Sequence, residues 1–169
     1  MNAHLNRPVP VVGAGLAGSE AALQIAEAGF SVRLHEMRPL VQTPAHQSSD
    51  AAELVCSNSL GSKLPDRAAG VLQAELRALG CWLLVDADAH SVPAGQALAV
   101  DRAEFAKAVT RRLEAHPLIE LVREEVEKIP LDEITVLASG PLTSEPLAED
   151  LAILAGRENL SFFDAIAPV

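Results

Sequence analysis

The chain has 169 residues, 49% hydrophobic and 21% charged, the size of one domain with enough apolar side chain for its own core. A net charge of −10 with only 13 Lys and Arg excludes a broad surface for nucleic-acid phosphates, which needs clustered cations, and leaves such contacts to local patches such as Arg111-Arg112. No apolar stretch reaches the roughly 18 residues of a membrane span, MNAHLNRPVP does not read as a signal peptide, and Cys56 and Cys81 form neither a disulfide framework nor a CxxC pair, so a reducing cytoplasm is the expected setting.

In chain order, residues 9–12 are a short apolar run ending at a glycine turn and read as a first strand. Pro10 is awkward there, because proline cannot donate to a central ladder. Residues 16–28 carry Ala17, Ala21, Ile25 and Ala28 at helical spacing, stopped by Gly29. Residues 31–36 alternate and read as a second strand. A polar loop follows over 37–49. Asp50-Ala51-Ala52-Glu53 has the form of a capping box and predicts a short helix. Residues 68–79 predict a helix ended by Gly80, residues 81–85 a strand, and residues 91–95 a turn around Pro93. Asp101-Arg102-Ala103-Glu104 is a capping box opening a helix to about residue 115. Residues 118–122 and 134–138 predict strands, and 145–154 a helix. Residues 161–169 read as a strand or loop.

The strongest motif is Gly13-Ala14-Gly15-Leu16-Ala17-Gly18, a GxGxxG between an apolar strand and an apolar helix. Gly13 permits the tight turn, Gly15 lets backbone approach a pyrophosphate, and Gly18 lets helix and strand pack closely. The helix N-terminus adds unpaired N–H groups and a partial positive charge. A bare GxGxxG is weak, but here the second strand ends in Glu36, at about the expected spacing for a carboxylate that accepts from a ribose diol. Glu36 repels a 2′-phosphate and so disfavours NADP at this site. It does not separate NAD from FAD. The run Val136-Leu137-Ala138-Ser139-Gly140 favours FAD, since two-dinucleotide flavoproteins return a strand ending in Ala-Thr-Gly past their cofactor; Ser139 stands here for the threonine. Met37 and Arg38, directly after Glu36, are further cofactor-contact candidates, although loop arginines are usually solvated. His46 either reaches the cofactor or is a surface histidine. His4, His35, His90 and His116 show no metal-ligand spacing, and no metal is expected. Cys81 beside Trp82 reads as core, and the Glu124-Glu125 and Asp132-Glu133 pairs as solvated charge.

Three longer stretches, EMRPLVQTPAHQSSDAAELVCSNSL from Glu36, VPAGQALAVDR, and VLASGPLTSE, resemble the signatures of the FAD- and folate-dependent tRNA (uracil-5-)-methyltransferases, relatives of the GidA flavoproteins. The resemblance runs from GAGLAGSE to FFDAIAPV, nearly the whole chain. It implies an α/β, Rossmann-like FAD-binding domain of the GR2 type, with residues 1–169 the N-terminal portion of that domain, incomplete at the C-terminus and without the second domain. It implies FAD as cofactor, methylenetetrahydrofolate as one-carbon donor, NADPH or NADH as reductant, and C5 of a tRNA T-loop uridine as acceptor. The cysteine of the LVCSN stretch, Cys56, is the residue the resemblance ties to catalysis, either attacking the uracil or protecting the flavin adduct. From spacing alone, Cys56 is equally readable as a small buried hydrophobe. Gln96 departs from the family, which commonly has a second glycine there. The expectation is a truncated form that does not turn over substrate alone. The competing readings are a generic flavin oxidoreductase domain and an inactive dinucleotide-binding remnant.

Overall fold

The computed structural model describes residues 7–156; the expected element at 161–169 lies outside the described residues. Two sheets organise the chain. Strands β1 (Val9–Val12), β2 (Val32–Glu36), β6 (Ile119–Arg123) and β7 (Val136–Leu137) form a four-stranded parallel sheet in the order β6-β2-β1-β7. Strands β3 (Ser59–Ser62), β4 (Ser91–Val92) and β5 (Ala97–Val100) form a small antiparallel sheet in the order β3-β5-β4. Helix α1 (Leu16–Glu27) connects β1 to β2, and α4 (Arg102–Ala115) leads into β6. Helices α2 (Ala68–Ala78) and α3 (Trp82–Ala89) connect β3 to β4 within the antiparallel sheet, and α5 (Glu145–Ala155) closes the described chain. The parallel order is that of a dinucleotide-binding half, whose ligand crevice lies at the carboxyl ends of the strands where the order reverses, here between β1 and β7.

The core follows from the apolar faces named in the sequence. Val11, Val32 and Leu34 are buried under Ala22, Leu23 and Ala26 of α1 and Phe105, Val109 and Leu113 of α4. Pro10 is accommodated by parity. Val9 and Gly13 donate toward β2, to Ser31 and His35, while Val12 accepts from Ala138 on the β7 side. Alternate residues face opposite neighbours, so the missing N–H of Pro10 faces β7, whose pairing begins only at Val11.

Three expectations change. No helix starts at Asp50: Ala52 has φ 54, and Glu53 turns back to accept from the Gln47 amide at 2.8 Å and the Ser48 amide at 3.1 Å. The loop is capped instead of a helix. Residues 81–85 are not a strand but the start of α3, whose first amides, Trp82 and Leu83, donate to the Glu20 carboxylate on α1 at 3.1 and 2.9 Å. A cap brought from 62 residues away is invisible to local pattern. Strands β3, β4 and β5 went unassigned: SLGS shows no alternation, Ser91–Val92 begins the segment expected to be a turn but pairs with β5, and ALAV is too short to distinguish from any apolar run. By contrast, Asp101 does cap α4, accepting from Ala103 and Glu104, although its own amide donates to the His90 carbonyl and not to Glu104 as a full box would have it.

Candidate functional site

One cleft of about 480 Å³ opens at the carboxyl ends of β1, β2 and β7. Its floor is the glycine corner. Gly13 takes φ 96, and a Cβ there would lie 2.7 Å from the Ala138 carbonyl oxygen, because the end of β7 crosses directly over the turn. A Cβ on Gly18 would fall 1.8 Å from the Gly13 carbonyl oxygen, so only glycine lets α1 sit this close to β1. A Cβ on Gly15 would meet nothing within 4 Å. Packing does not demand glycine at position 15; its side-chain space opens into the cleft, which Gly15 lines.

The corner also presents donors. Gly15 is the N-cap of α1, with no side-chain cap and no acidic residue in the first turn. The first amides of a helix have no partner within it, and with the helix dipole they form a setting for an anion. Gly13, Gly15, Leu16 and Ala17 line the cleft. Ala14 and Gly18 do not: Ala14 is fully buried and its N–H donates to Glu36 Oε2 at 3.1 Å, while Gly18 is buried in the α1–β1 contact.

Glu36 therefore points at the corner. It is 5% exposed, and its Oε1 accepts from both the Arg38 amide at 3.0 Å and Arg38 Nε at 2.8 Å. Burial alone pushes its carboxyl up, but the Arg38 side chain, with the Arg38 and Ala14 amides, outweighs that and holds it below the ordinary carboxylate value. Arg38 is not a solvated loop arginine: it is 2% exposed, and its Nη1 donates to the Ser48 carbonyl and Glu53 Oε2, both at 3.1 Å. Met37, Arg38, His46 and Glu53 share the cleft wall. His46 is held below its ordinary value by burial first and then by the nearby Arg38 charge, and its Nδ1 lies 2.6 Å from Thr43 Oγ1. An imidazole so depressed is neutral at pH 7.

A family model described as "Glucose inhibited division protein A" matches residues 8–169. The chain belongs to the glucose inhibited division protein A family. Among the relatives of this GidA-family chain are proteins called methylenetetrahydrofolate–tRNA-(uracil-5-)-methyltransferase TrmFO. One from Parasynechococcus marenigrum is 58% identical over 98% of the chain, and one from Prochlorococcus marinus is 60% identical over 95%. The chain spans 36% and 35% of those proteins, about a third of their length. Among solved structures, GidA of Aquifex aeolicus superposes with a TM-score of 0.60 at 19% identity over 78% of this chain and 22% of its own. That likeness carries the fold, an α/β Rossmann-type domain, as the sequence implied.

In this GidA-family chain the far side of the cleft holds Cys56, an exposed thiol. Leu54 just before it is anchored through its carbonyl by Arg102 Nη1 at 3.2 Å. The remaining wall comes from Gly140, with φ 67, and the turn after β7 through Leu147. Gly13, Glu36, Cys56 and Gly140, separated by up to 127 positions, thus line one cavity. Glu53 and the Pro141–Leu147 wall were missed by motif reading; only the excess of polar residues after Glu36 hinted that the loop carries structure. Glu124 and Glu125, read as solvated charge, also reach the cleft edge. Gln96 does not line it. Cys81 is buried, and burial raises its thiol pKa, as a core cysteine requires. Arg112 is engaged by Asp86 through two bonds of 2.8 and 2.7 Å and stacks over Trp82 at 4.7 Å, which removes it from the candidate RNA patch. Among the described residues no cluster of His, Cys, Asp or Glu suits a metal, and no single helix is long and apolar enough to cross a membrane.

Proposed function

We propose that this chain forms the FAD-binding portion of a folate- and reduced-flavin-dependent tRNA (uracil-5-)-methyltransferase. The observation that carries the reading is the single cleft joining an anion-ready glycine corner and an ionised Glu36 to an exposed cysteine. The residues fit FAD. Gly15 leaves room for a diphosphate against the α1 amides. Glu36 would hold the adenosine ribose, Met37 and Arg38 line the cleft beside it, and Gly140 bounds the same cleft. Gly13, Ala14 and Gly18 shape the corner, with Leu16 and Ala17 lining it.

When bound, reduced FAD supplies the electrons for methylation with a one-carbon unit from methylenetetrahydrofolate, with NADPH or NADH as the ultimate reductant. The uracil C5 of a tRNA T-loop is a poor nucleophile. Addition of the Cys56 thiolate to C6 makes an enolate and loads electron density on C5, and loss of the C5 proton after carbon transfer expels the thiolate. Cys56 is thus the proposed catalytic residue. The acidic net charge supports a reading in which the main tRNA contacts lie outside this surface.

Two measurements test this. The purified chain is expected to bind one FAD, seen as quenching of flavin fluorescence; a folded protein that leaves FAD unquenched overturns the cofactor assignment. This chain carried in a protein of its relatives' full length, incubated with reduced FAD, methylenetetrahydrofolate and a T-loop RNA carrying 5-fluorouracil, is expected to form a covalent adduct that Cys56→Ser lacks. FAD binding with an adduct that survives Cys56→Ser would overturn the role of Cys56, and FAD binding with no adduct in either protein would leave a generic flavin oxidoreductase domain.

A further inference from the structure

Resting on the nucleotide reading above, we propose that Glu53 is a positioning residue that acts through Arg38 to fix Glu36 for a single ribose hydroxyl. An ionised carboxylate offers about four acceptor positions. Glu36 has three filled from within the chain: two on Oε1 by the Arg38 amide and Arg38 Nε, and one on Oε2 by the Ala14 amide. One position remains, on the oxygen that faces the glycine corner. Glu36 therefore takes one hydroxyl of a ribose diol and not both.

Its aim depends on Arg38, and Arg38 is fixed from behind. Nη1 is shared by the Ser48 carbonyl and Glu53 Oε2. Glu53 is itself pinned by the Gln47 amide, the Ser48 amide and the Ser48 hydroxyl, at 2.8, 3.1 and 2.8 Å. The row Glu53–Arg38–Glu36 thus runs from the 47–53 loop to the corner, and every member lines the cleft. Both carboxyls sit below the ordinary carboxylate value: burial pushes each up, the Arg38 contacts bring Glu36 down, and the Gln47 and Ser48 contacts bring Glu53 down. Two anions flanking one cation leave the row with a net negative charge at neutral pH. Charge-assisted hydrogen bonds of this kind are short, directional and strong, which suits a row that fixes a rotamer.

The test is competition of ADP, 2′-deoxy-ADP and 3′-deoxy-ADP against FAD bound to the full chain. With wild type, one of the two deoxy analogues is expected to bind roughly tenfold more weakly than ADP, the value of one hydrogen bond to a charged group, and the other about as well as ADP. Glu53→Gln is expected to weaken FAD and to shrink that discrimination toward unity. A purely structural role would lower the melting temperature and weaken ADP and the analogue equally, leaving the ratio intact. An unchanged ratio in folded Glu53→Gln overturns the proposal. If that variant fails to fold, Ser48→Ala, which removes one of the three loop donors that pin Glu53 beside Arg38, is expected to lower the ratio in the same direction, and an unchanged ratio there overturns it equally. Equal losses for both deoxy analogues in wild type would refute the single-hydroxyl geometry. A wild-type chain that binds neither FAD nor ADP would bring down this proposal together with the nucleotide reading, whereas binding with an intact ratio brings down only the positioning role.

Discussion

The corner wall of the cleft, residues 9–36, is strand, helix and strand in unbroken succession, each element packed on its sequence neighbours. The opposite wall, residues 37–58, contains no helix or strand, yet it buries Ala51 and Ala52 as thoroughly as the sheet buries Leu34. It is held by side chains that arrive from elsewhere: Thr110 of α4 accepts from the Ala51 amide at 2.9 Å, Arg102 grips the Leu54 carbonyl, and Arg123 at the end of β6 donates to the Arg38 and Ser49 carbonyls at 3.2 and 2.6 Å. One wall is built by backbone regularity and the other by individually placed polar contacts. The first tolerates change wherever a side chain points into the cleft; the second depends on single atoms.

The largest effect is expected within the corner itself. Gly18→Ala places a methyl group against the Gly13 carbonyl, where neither backbone can retreat, and should cost at least about 3 kcal/mol in denaturant unfolding. Gly15→Ala, three residues away, should cost no more than about 1 kcal/mol, the difference between glycine and alanine at an N-cap, while weakening FAD. Equal losses for the two would erase the distinction between a glycine kept for packing and one kept for a ligand. Next, Thr110→Val removes the acceptor of the buried Ala51 amide and should destabilise by about 1–3 kcal/mol, measured by thermal unfolding; a neutral result would mean that the loop wall does not hang on such contacts.

Acid acts on both walls in the same sense, since Glu36 and Glu53 both sit below the ordinary carboxylate value. Glu36 has a folded-state pKa below 4.5, its ordinary value. Its stabilising contribution is therefore complete above that ordinary value and drains away as pH falls through the depressed one. The stability gap between wild type and Glu36→Gln should be flat from neutral pH down to about pH 5 and then narrow; a gap that widens with acid would reverse the sign assigned here. The smallest effect belongs to Cys56→Ser. The thiol is exposed, so stability should change by less than about 0.5 kcal/mol while adduct formation disappears.

The same division explains what could be read before any coordinates. The Gly13–Gly18 turn and the Asp101 cap obey rules that span a few residues, and the structure sets the turn between β1 and α1 and Asp101 at the N-cap of α4. The Asp50–Glu53 box obeyed the same pattern but lost its acid to a competing partner: the Gln47 and Ser48 amides and the buried Arg38 guanidinium claim the Glu53 carboxylate. That competition is three-dimensional, and no local window contains it. Arg38, a cofactor-contact candidate, and Arg112, a candidate RNA-patch cation, are likewise engaged by carboxylates: Glu36 and Glu53, two and fifteen positions from Arg38, and Asp86 on α3 for Arg112. What resisted reading was the destination of charged side chains, and charged side chains are what the second wall is made of.

The Glu20 carboxylate that caps α3 ties two helices into one cooperative unit. Trp82 and Leu83 keep their amide partners only while α1 is docked. Helix α2, by contrast, buries little beyond Gly70 and Gln73. Deuterium should therefore enter α2 through local opening, while the leading amides of α3 should exchange only when α1 leaves the sheet, so that the slow step of their exchange is the dissolution of the nucleotide corner itself.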